Sequence, residues 1–163
     1  MASNKEKVLI MRCNRYDADR IAGIIKEGME ELKAVPTGRI LLKPNVVIAH
    51  PDVFPYAFTR KEFLSGAIAA TKQMAQGASE IAVGERSGIT LPTRWTFKNA
   101  GYPEVIKTHG VKAYYFDEAE QVPVKIGNNH TLRENIYVPK PVAEADFLIN
   151  LPKFKAHPWC RLT

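Results

Sequence analysis

Short apolar runs alternate along this chain with longer stretches in which apolar residues recur every three or four positions. The runs have the length of buried strands, and the longer stretches have the spacing of amphipathic helices. The predicted strands cover residues 7–13, 39–45, 80–85, 112–117 and 147–151. Because strands that alternate with helices usually form parallel sheets, the pattern predicts an α/β fold with a mostly parallel sheet and helices on both faces.

Three helical stretches follow the first three predicted strands. Asp17 or Asp19 can cap the first helix, and Thr59 and Glu62 have the spacing of a capping box before the second. The third stretch, over residues 93–109, is weaker and is interrupted by glycine and proline. The apolar face of the first helix consists of Ile21, Ile24, Ile25, Met29 and Leu32.

The rhythm changes after the fourth predicted strand. Two short apolar stretches, residues 122–126 and 132–138, surround the polar turn formed by residues 127–129. This spacing predicts a β-hairpin added to the main sheet. No repeat or linker divides the sequence, so we expect a single domain over residues 1–163. The sequence stops without a breaker after Cys160, and we expect this domain to be the N-terminal part of a longer protein.

Composition narrows the class of protein. The 163 residues are 45% hydrophobic and 25% charged, as in an ordinary globular domain. Two cysteines are too few for a disulfide framework and suit a reducing compartment. No run of about 18 apolar residues could span a membrane, and the first residues do not resemble a signal peptide. We therefore expect a cytoplasmic protein that does not associate with membranes.

Positive charge is concentrated near the carboxyl terminus. The formal net charge is +6, but most of the lysine and arginine residues are dispersed. Residues 150–163 instead contain Lys153, Lys155, His157 and Arg161 and no acidic residue, directly after a predicted strand. This concentration indicates an anionic ligand, whereas the dispersed charges give only weak support for binding to nucleic acid.

Polar side chains follow three of the predicted strands. Lys43 and Asn45 follow the second, Glu85 and Ser87 the third, and Lys153, Lys155 and His157 the last. The carboxyl ends of parallel strands meet at one edge of the sheet, where open α/β proteins bind ligands.

We therefore predict that the three lysines hold an anion, that Asn45 and Ser87 orient it, and that His157 or Glu85 transfers a proton. In the alternative interpretation, Lys43 and Lys153 pair with Glu85 and Asp146 and only fix the strand ends.

Other arrangements carry weaker signals. The turn from Gly84 to Gly88 could cradle a phosphate through its backbone donors, although a tight strand-to-helix turn explains these glycines equally well. His157 and Cys160 lack a second closely spaced ligand pair, so no metal site is predicted. Ser87 does not lie in the nucleophile elbow of a hydrolase.

Four segments give the chain a family resemblance. They are Arg12-Cys13-Asn14-Arg15-Tyr16-Asp17, Leu42-Lys43-Pro44-Asn45, Val83-Gly84-Glu85-Arg86-Ser87-Gly88, and the stretch from Asp146 to His157. Together they resemble domain-of-unknown-function family three-six-two of bacteria and archaea. The family often has Thr-His-Pro where this chain has Thr59-Arg60-Lys61. Some members carry ferredoxin-like cysteine clusters for iron–sulfur centres, but no such cluster exists here, so that role is not carried over.

The resemblance implies no settled activity or cofactor, so several functions stay open. The first hypothesis is a cytosolic protein that binds a small anionic metabolite or phosphorylated cofactor. In the stronger form of this hypothesis the protein is an enzyme that acts on that ligand. The second is a non-catalytic ligand-binding or redox-partner module that works with a missing C-terminal region or a partner chain. Nucleic-acid binding is the third. Each predicts a different response to loss of Lys153.

Overall fold

The computed structural model describes residues 7–88, 90–126, 134–157 and 161–162, with only the backbone of residues 157 and 162. Helices and strands alternate through most of this part of the chain. The helices are α1 (Ala18–Leu32), α2 (Lys61–Met74), α3 (Thr93–Asn99), α4 (Tyr102–His109) and α5 (Lys140–Ala143). The strands are β1 (Thr37–Pro44), β2 (Gln76–Glu85), β3 (Lys112–Tyr115), β4 (Gln121–Lys125), β5 (Asn135–Pro139), β6 (Phe147–Leu151), β7 (Ala156–His157) and β8 (Arg161–Leu162).

Four strands form the main sheet in the order β3-β2-β1-β6, and all neighbouring pairs are parallel. Strand β1 lies between β2 and β6, and its apolar residues Ile40, Leu41 and Leu42 are buried there. Leu42 pairs with Val83 on one side and with Ile149 on the other. This register brings the carboxyl ends of β1, β2 and β6 to the same edge of the sheet.

The two faces of the sheet are covered unequally. On one face, alternate strand residues such as Ile40 and Leu42 pack against Leu64 and Ile68 of α2 and against Ile106 of α4. The opposite face has a smaller apolar cluster of Leu41, Ala82 and Phe116, which Val142 of α5 joins. Helices therefore flank both faces, and most of the core lies beneath α2 and α4.

The predicted fold class is confirmed. The four-stranded sheet is parallel, and the two predicted short strands form an antiparallel hairpin of β4 and β5. Among the described residues, this hairpin is a sheet of its own and does not pair with a strand of the main sheet. The turn predicted at residues 127–129 lies outside the described residues. None of the described helices has the length and apolar character needed to cross a bilayer.

The strand predicted over residues 7–13 is wrong. This segment is neither helix nor strand, and Val8 and Ile10 are 79% and 97% exposed. The segment lies along α1, where the Lys7 ammonium group contacts a carboxylate oxygen of Glu31 at 2.8 Å. An apolar run becomes a strand only where a neighbouring strand pairs with its backbone, and none of the described strands pairs with this segment.

The capping prediction is right for the first helix and wrong for the second. Asp17 caps α1 and accepts a hydrogen bond from the Arg20 amide at 2.9 Å. Helix α2 has Arg60 at its N-cap and no side-chain cap. Thr59 does not form the predicted capping box with Glu62, because its hydroxyl is engaged by the ends of β1 and β6.

Candidate functional site

The carboxyl edge of the main sheet brings together residues that are distant in sequence. Lys43 lies near the end of β1, directly beside Asn150 of β6. Glu85 ends β2, which is the other neighbour of β1. The segment of residues 152–155 leaves β6 at the same edge. The topology therefore places the candidate residues of all three strands in one region.

Lys43 and Glu85 form an ion pair at this edge. The Lys43 Nζ atom lies 2.6 Å from Glu85 Oε2, and the other carboxylate oxygen accepts the Arg86 amide at 2.8 Å. The Glu85 side chain is only 8% exposed. A buried carboxylate needs such partners, because burying an unpaired charge is costly. This contact is the pairing that the strand-end interpretation predicts for Lys43.

The hydroxyl of Thr59 fixes the ends of two strands. It accepts a hydrogen bond from the Asn45 amide at 2.9 Å and donates one to the Leu151 carbonyl at 2.8 Å. The Thr59 amide in turn donates to the Asn45 carbonyl, and the Tyr102 hydroxyl donates to the Thr59 carbonyl at 2.6 Å. Burial raises the pKa of Tyr102, which keeps this phenol a donor. These buried bonds join β1, β6 and the start of α2.

Lys155 reaches back over this junction to Asn45. Its Nζ atom donates to Asn45 Oδ1 at 2.5 Å, so the amide at the end of β1 orients the amine. Burial lowers the pKa of Lys155, and the positive charge of Lys153 lowers it further. The two lysines that follow β6 therefore repel each other within one region of the surface.

Lys153 contacts Tyr16, which precedes α1. The Lys153 ammonium group donates to the Tyr16 hydroxyl at 2.9 Å and lies 5.4 Å from the ring centroid. The guanidinium carbon of Arg60 lies 4.9 Å from the same centroid. A ring attracts cations through its negative face, so Tyr16 holds the two basic side chains near one another. The predicted alternative pair of Lys153 and Asp146 does not form, because Asp146 accepts the Arg39 amide before β6 begins.

A cleft of about 190 Å³ opens beside these cations. It combines basic and aromatic side chains. Its lining consists of Tyr16, Thr59, Arg60, Phe63, Pro152, Lys153 and Phe154. Arg60 has Glu62 as a neighbour, with 3.3 Å between Nε and the carboxylate oxygen. Within the described part of the chain, no carboxylate oxygen lies within 4.0 Å of the amines of Lys153 and Lys155.

Ser87 is engaged by the loop that follows β2. Its hydroxyl donates to the Leu91 carbonyl, and its amide donates to Thr93 Oγ1 at 3.1 Å. The Thr93 amide is bound in turn by Asp117 at 3.0 Å. Burial opposes ionisation of Asp117, but the hydrogen bonds from Thr93 outweigh it and lower the pKa of this carboxyl. Ser87 is buried here, and its predicted role in orienting a ligand stays a prediction.

The backbone of His157 belongs to β7, where it pairs with Arg161 of β8. The His157 side chain lies outside the described residues, as does Cys160, so the predicted proton-transfer role of His157 stays a prediction. Cys13 is exposed, and its thiol donates to the Arg15 carbonyl at 3.1 Å. The described residues contain no group of three or more histidine, cysteine, aspartate or glutamate side chains placed to hold a metal ion.

Sequence reasoning missed two residues of this region. Tyr16 was named only as part of the first segment that resembles the family, and Arg60 only as the residue at a position where relatives often have histidine. Both lie at the start of a helix, and neither follows a strand, so strand ends alone could not reveal them. A basic residue at the histidine position of a related motif was the available signal.

The fold and its carboxyl edge define an open, mostly parallel α/β protein with half-buried cations at the edge where such proteins bind ligands. Within that class, the model of the family described as domain of unknown function (DUF362) matches residues 40–163. The match covers more than half of the chain, so the chain belongs to this family, as the resemblance predicted. No curated protein and no solved structure gave a significant match.

Proposed function

We propose that the carboxyl edge of the main sheet binds a small anionic metabolite or a phosphorylated cofactor. The observation that carries the proposal is the pair of amines after β6. Burial and the nearby charge of Lys153 lower the pKa of Lys155, yet among the described residues neither lysine has a carboxylate partner. A bound anion would remove the repulsion and stabilise both charges.

The rigidity of the junction beneath these amines supports the same proposal. Asn45 orients Lys155, and the buried Thr59 hydroxyl fixes the backbone on which both residues depend. Side chains that are already held in place lose less conformational entropy when a ligand binds. Phosphate and carboxylate oxygens are the acceptors that suit ammonium and guanidinium donors.

In the catalytic form of the proposal, Glu85 or His157 moves a proton on the bound ligand. One observation favours a binding module instead, namely that Glu85 already forms an ion pair with Lys43 at 2.6 Å. A carboxylate whose two oxygens already bind the Lys43 amine and the Arg86 amide is less available to a ligand. We therefore keep a non-catalytic ligand-binding module as the second candidate. Both candidates agree with a cytoplasmic location, which we infer from the low cysteine content.

Thermal melting at constant ionic strength tests the proposal. The panel contains phosphate, sulfate, nucleotides, di- and tricarboxylates and divalent metal ions. An anion at 100 times its dissociation constant adds about 2.7 kcal/mol of stability, which raises the melting temperature by roughly 5–10 °C for a domain of this size. We expect one class of anion to do so, and Lys153→Ala to abolish the rise.

Lys107→Ala is the matched control. Lys107 is an exposed lysine in the last turn of α4, which lies towards the amino edge of the sheet because β3 begins directly after it. The variant removes the same charge without touching the cleft, and we expect the full rise. A flat panel contradicts the proposal, as does a rise that survives Lys153→Ala. A rise that falls equally in both variants indicates general charge attraction, as nucleic-acid binding would.

A further inference from the structure

The cleft beside Lys153 contains more aromatic surface than the capture of a bare anion requires. Phe154 is 81% exposed and stands next to a lysine on either side. Phe63 and Tyr16 line the same cleft, which also holds Lys153 and Arg60. A compact inorganic anion would contact only the cations and would leave these rings in water.

The arrangement of the rings separates two parts of the cleft. Tyr16 is engaged by the cations, with Arg60 4.9 Å and Lys153 5.4 Å from its centroid. Phe154 has no such contact among the described residues, and much of its surface is free to contact a ligand. Exposed aromatic residues usually occur singly on a surface, whereas this one stands in a cleft with two others. The cleft therefore has a basic part around Tyr16 and an aromatic part at Phe154.

We propose that the ligand is an aromatic ring that carries a phosphate or carboxylate group. The ring packs against Phe154 and Phe63, and the anionic group faces Lys153 and Arg60. This inference rests on the proposed function, because it adds an aromatic part to the ligand of the same site. Stacking on an aromatic side chain tolerates different rings, so the chemistry selects a class of ligands and not one compound.

Isothermal titration with a matched set of small anions tests the inference. Inorganic phosphate, methyl phosphate and phenyl phosphate share the anionic group and differ in what is attached to it, and acetate and benzoate form the corresponding carboxylate pair. We expect phenyl phosphate to bind about tenfold more tightly than methyl phosphate, which is the size of effect that one stacked ring produces. Benzoate should exceed acetate by a similar factor if the site takes a carboxylate.

Variants identify the residues responsible. Phe154→Ala should remove the preference for phenyl phosphate and leave the affinity for methyl phosphate unchanged, while Phe154→Leu should keep a part of it. Because Phe154 is exposed, neither change threatens folding. Tyr137→Ala is the control, since it removes an exposed ring from the separate β4–β5 hairpin. Lys153→Ala should weaken every ligand of the set.

The outcomes separate the two proposals. Equal affinity for methyl and phenyl phosphate overturns the aromatic inference and leaves the anion site intact. A preference for phenyl phosphate that survives Phe154→Ala, or binding of phenyl phosphate that survives Lys153→Ala, also overturns it. If none of the five anions binds, both the anion site and the aromatic inference are wrong.

Discussion

Thr59 shows how much one side chain can determine at the candidate site. Its single hydroxyl oxygen accepts a hydrogen bond from the Asn45 amide at the end of β1 and donates one to the Leu151 carbonyl at the end of β6. Residues 59 and 151 are 92 positions apart. A sequence pattern of threonine followed three residues later by glutamate is typical of a helix cap. Here the hydroxyl binds the two strand ends and not the helix N-terminus, because the buried backbone groups of the strand ends have no water to bind.

Replacement of Thr59 by valine should therefore destabilise the protein. Valine has nearly the same shape but leaves the Asn45 amide and the Leu151 carbonyl without their partner, at a cost of about 1–3 kcal/mol. Urea unfolding followed by circular dichroism measures the difference. Thr59→Ser keeps the hydroxyl and is the control, which should lose clearly less stability than the valine variant. A valine variant as stable as the wild type would contradict the prediction, because the hydroxyl bonds would then contribute nothing to stability.

Lys153 and Lys155 show which positions in the fold a sequence can predict. Their position after a predicted strand was sufficient to place them at the carboxyl edge, because every strand of the main sheet runs in the same direction. Tyr16 could not be found in this way. It meets Lys153 across 137 residues, through a loop before α1 that follows no strand. The position of the two lysines follows from the sheet topology alone, whereas the position of Tyr16 follows from the path of one loop.

At the scale of elements, the sequence pattern was most reliable for the strands in the centre of the sheet. The apolar runs of β1 and β2 predicted buried strands because both faces of these strands are covered. The same kind of run at residues 7–13 predicted a strand that does not exist. Its length and apolar character resemble those of β1, but the structure gives it no neighbouring strand and leaves Val8 and Ile10 exposed. The local pattern of apolar residues does not indicate whether a neighbouring strand is present to pair with the segment.

Gly84 provides a test of packing between β2 and the less covered face of the sheet. A Cβ atom at this position would lie 2.8 Å from Phe116 Cζ and 3.1 Å from Leu41 Cδ1. We expect Gly84→Ala to destabilise the protein by about 1–3 kcal/mol, because the Phe116 ring would have to move out of its cluster. Urea unfolding at neutral pH measures the change.

Gly23→Ala is the matched control for this prediction. Gly23 lies within α1, and a Cβ atom there would meet nothing within 4 Å. The same substitution should stabilise the protein by about 0.5–1 kcal/mol, because alanine favours the helix and restricts the unfolded chain. A Gly84→Ala variant as stable as the wild type would mean that Phe116 yields to the added methyl group and that the sheet face is loosely packed.

For the whole molecule, His109 should give stability a measurable dependence on pH. It ends α4 and lies 2.9 Å from the Ser65 hydroxyl of α2. Burial lowers the pKa of His109 and the charge of Lys72 lowers it further, so the folded protein disfavours the protonated imidazole. The unfolded chain has no such preference and titrates near 6.5. The contribution of His109 is therefore complete above that pH and is lost as the pH falls below it.

The free energy of unfolding is measured with urea between pH 7.5 and pH 5, in steps of about half a pH unit. Stability should decline towards pH 5 in the wild type, and His109→Gln should decline less because glutamine does not titrate. The difference between the two curves isolates His109 from the other histidines. Parallel curves would show that His109 titrates alike in the folded and unfolded chain.

The bond between Thr59 and Leu151 also constrains when the site can exist during synthesis. Leu151 lies near the end of the 163 residues, and Lys155 reaches Asn45 across 110 positions. Contacts of such separation require closure of a long loop and form late in folding. A nascent chain that has left the ribosome as far as β3 contains Lys43, Asn45 and Thr59 but lacks Leu151 and Lys155. The proposed anion site would therefore form only after β6 has docked beside β1.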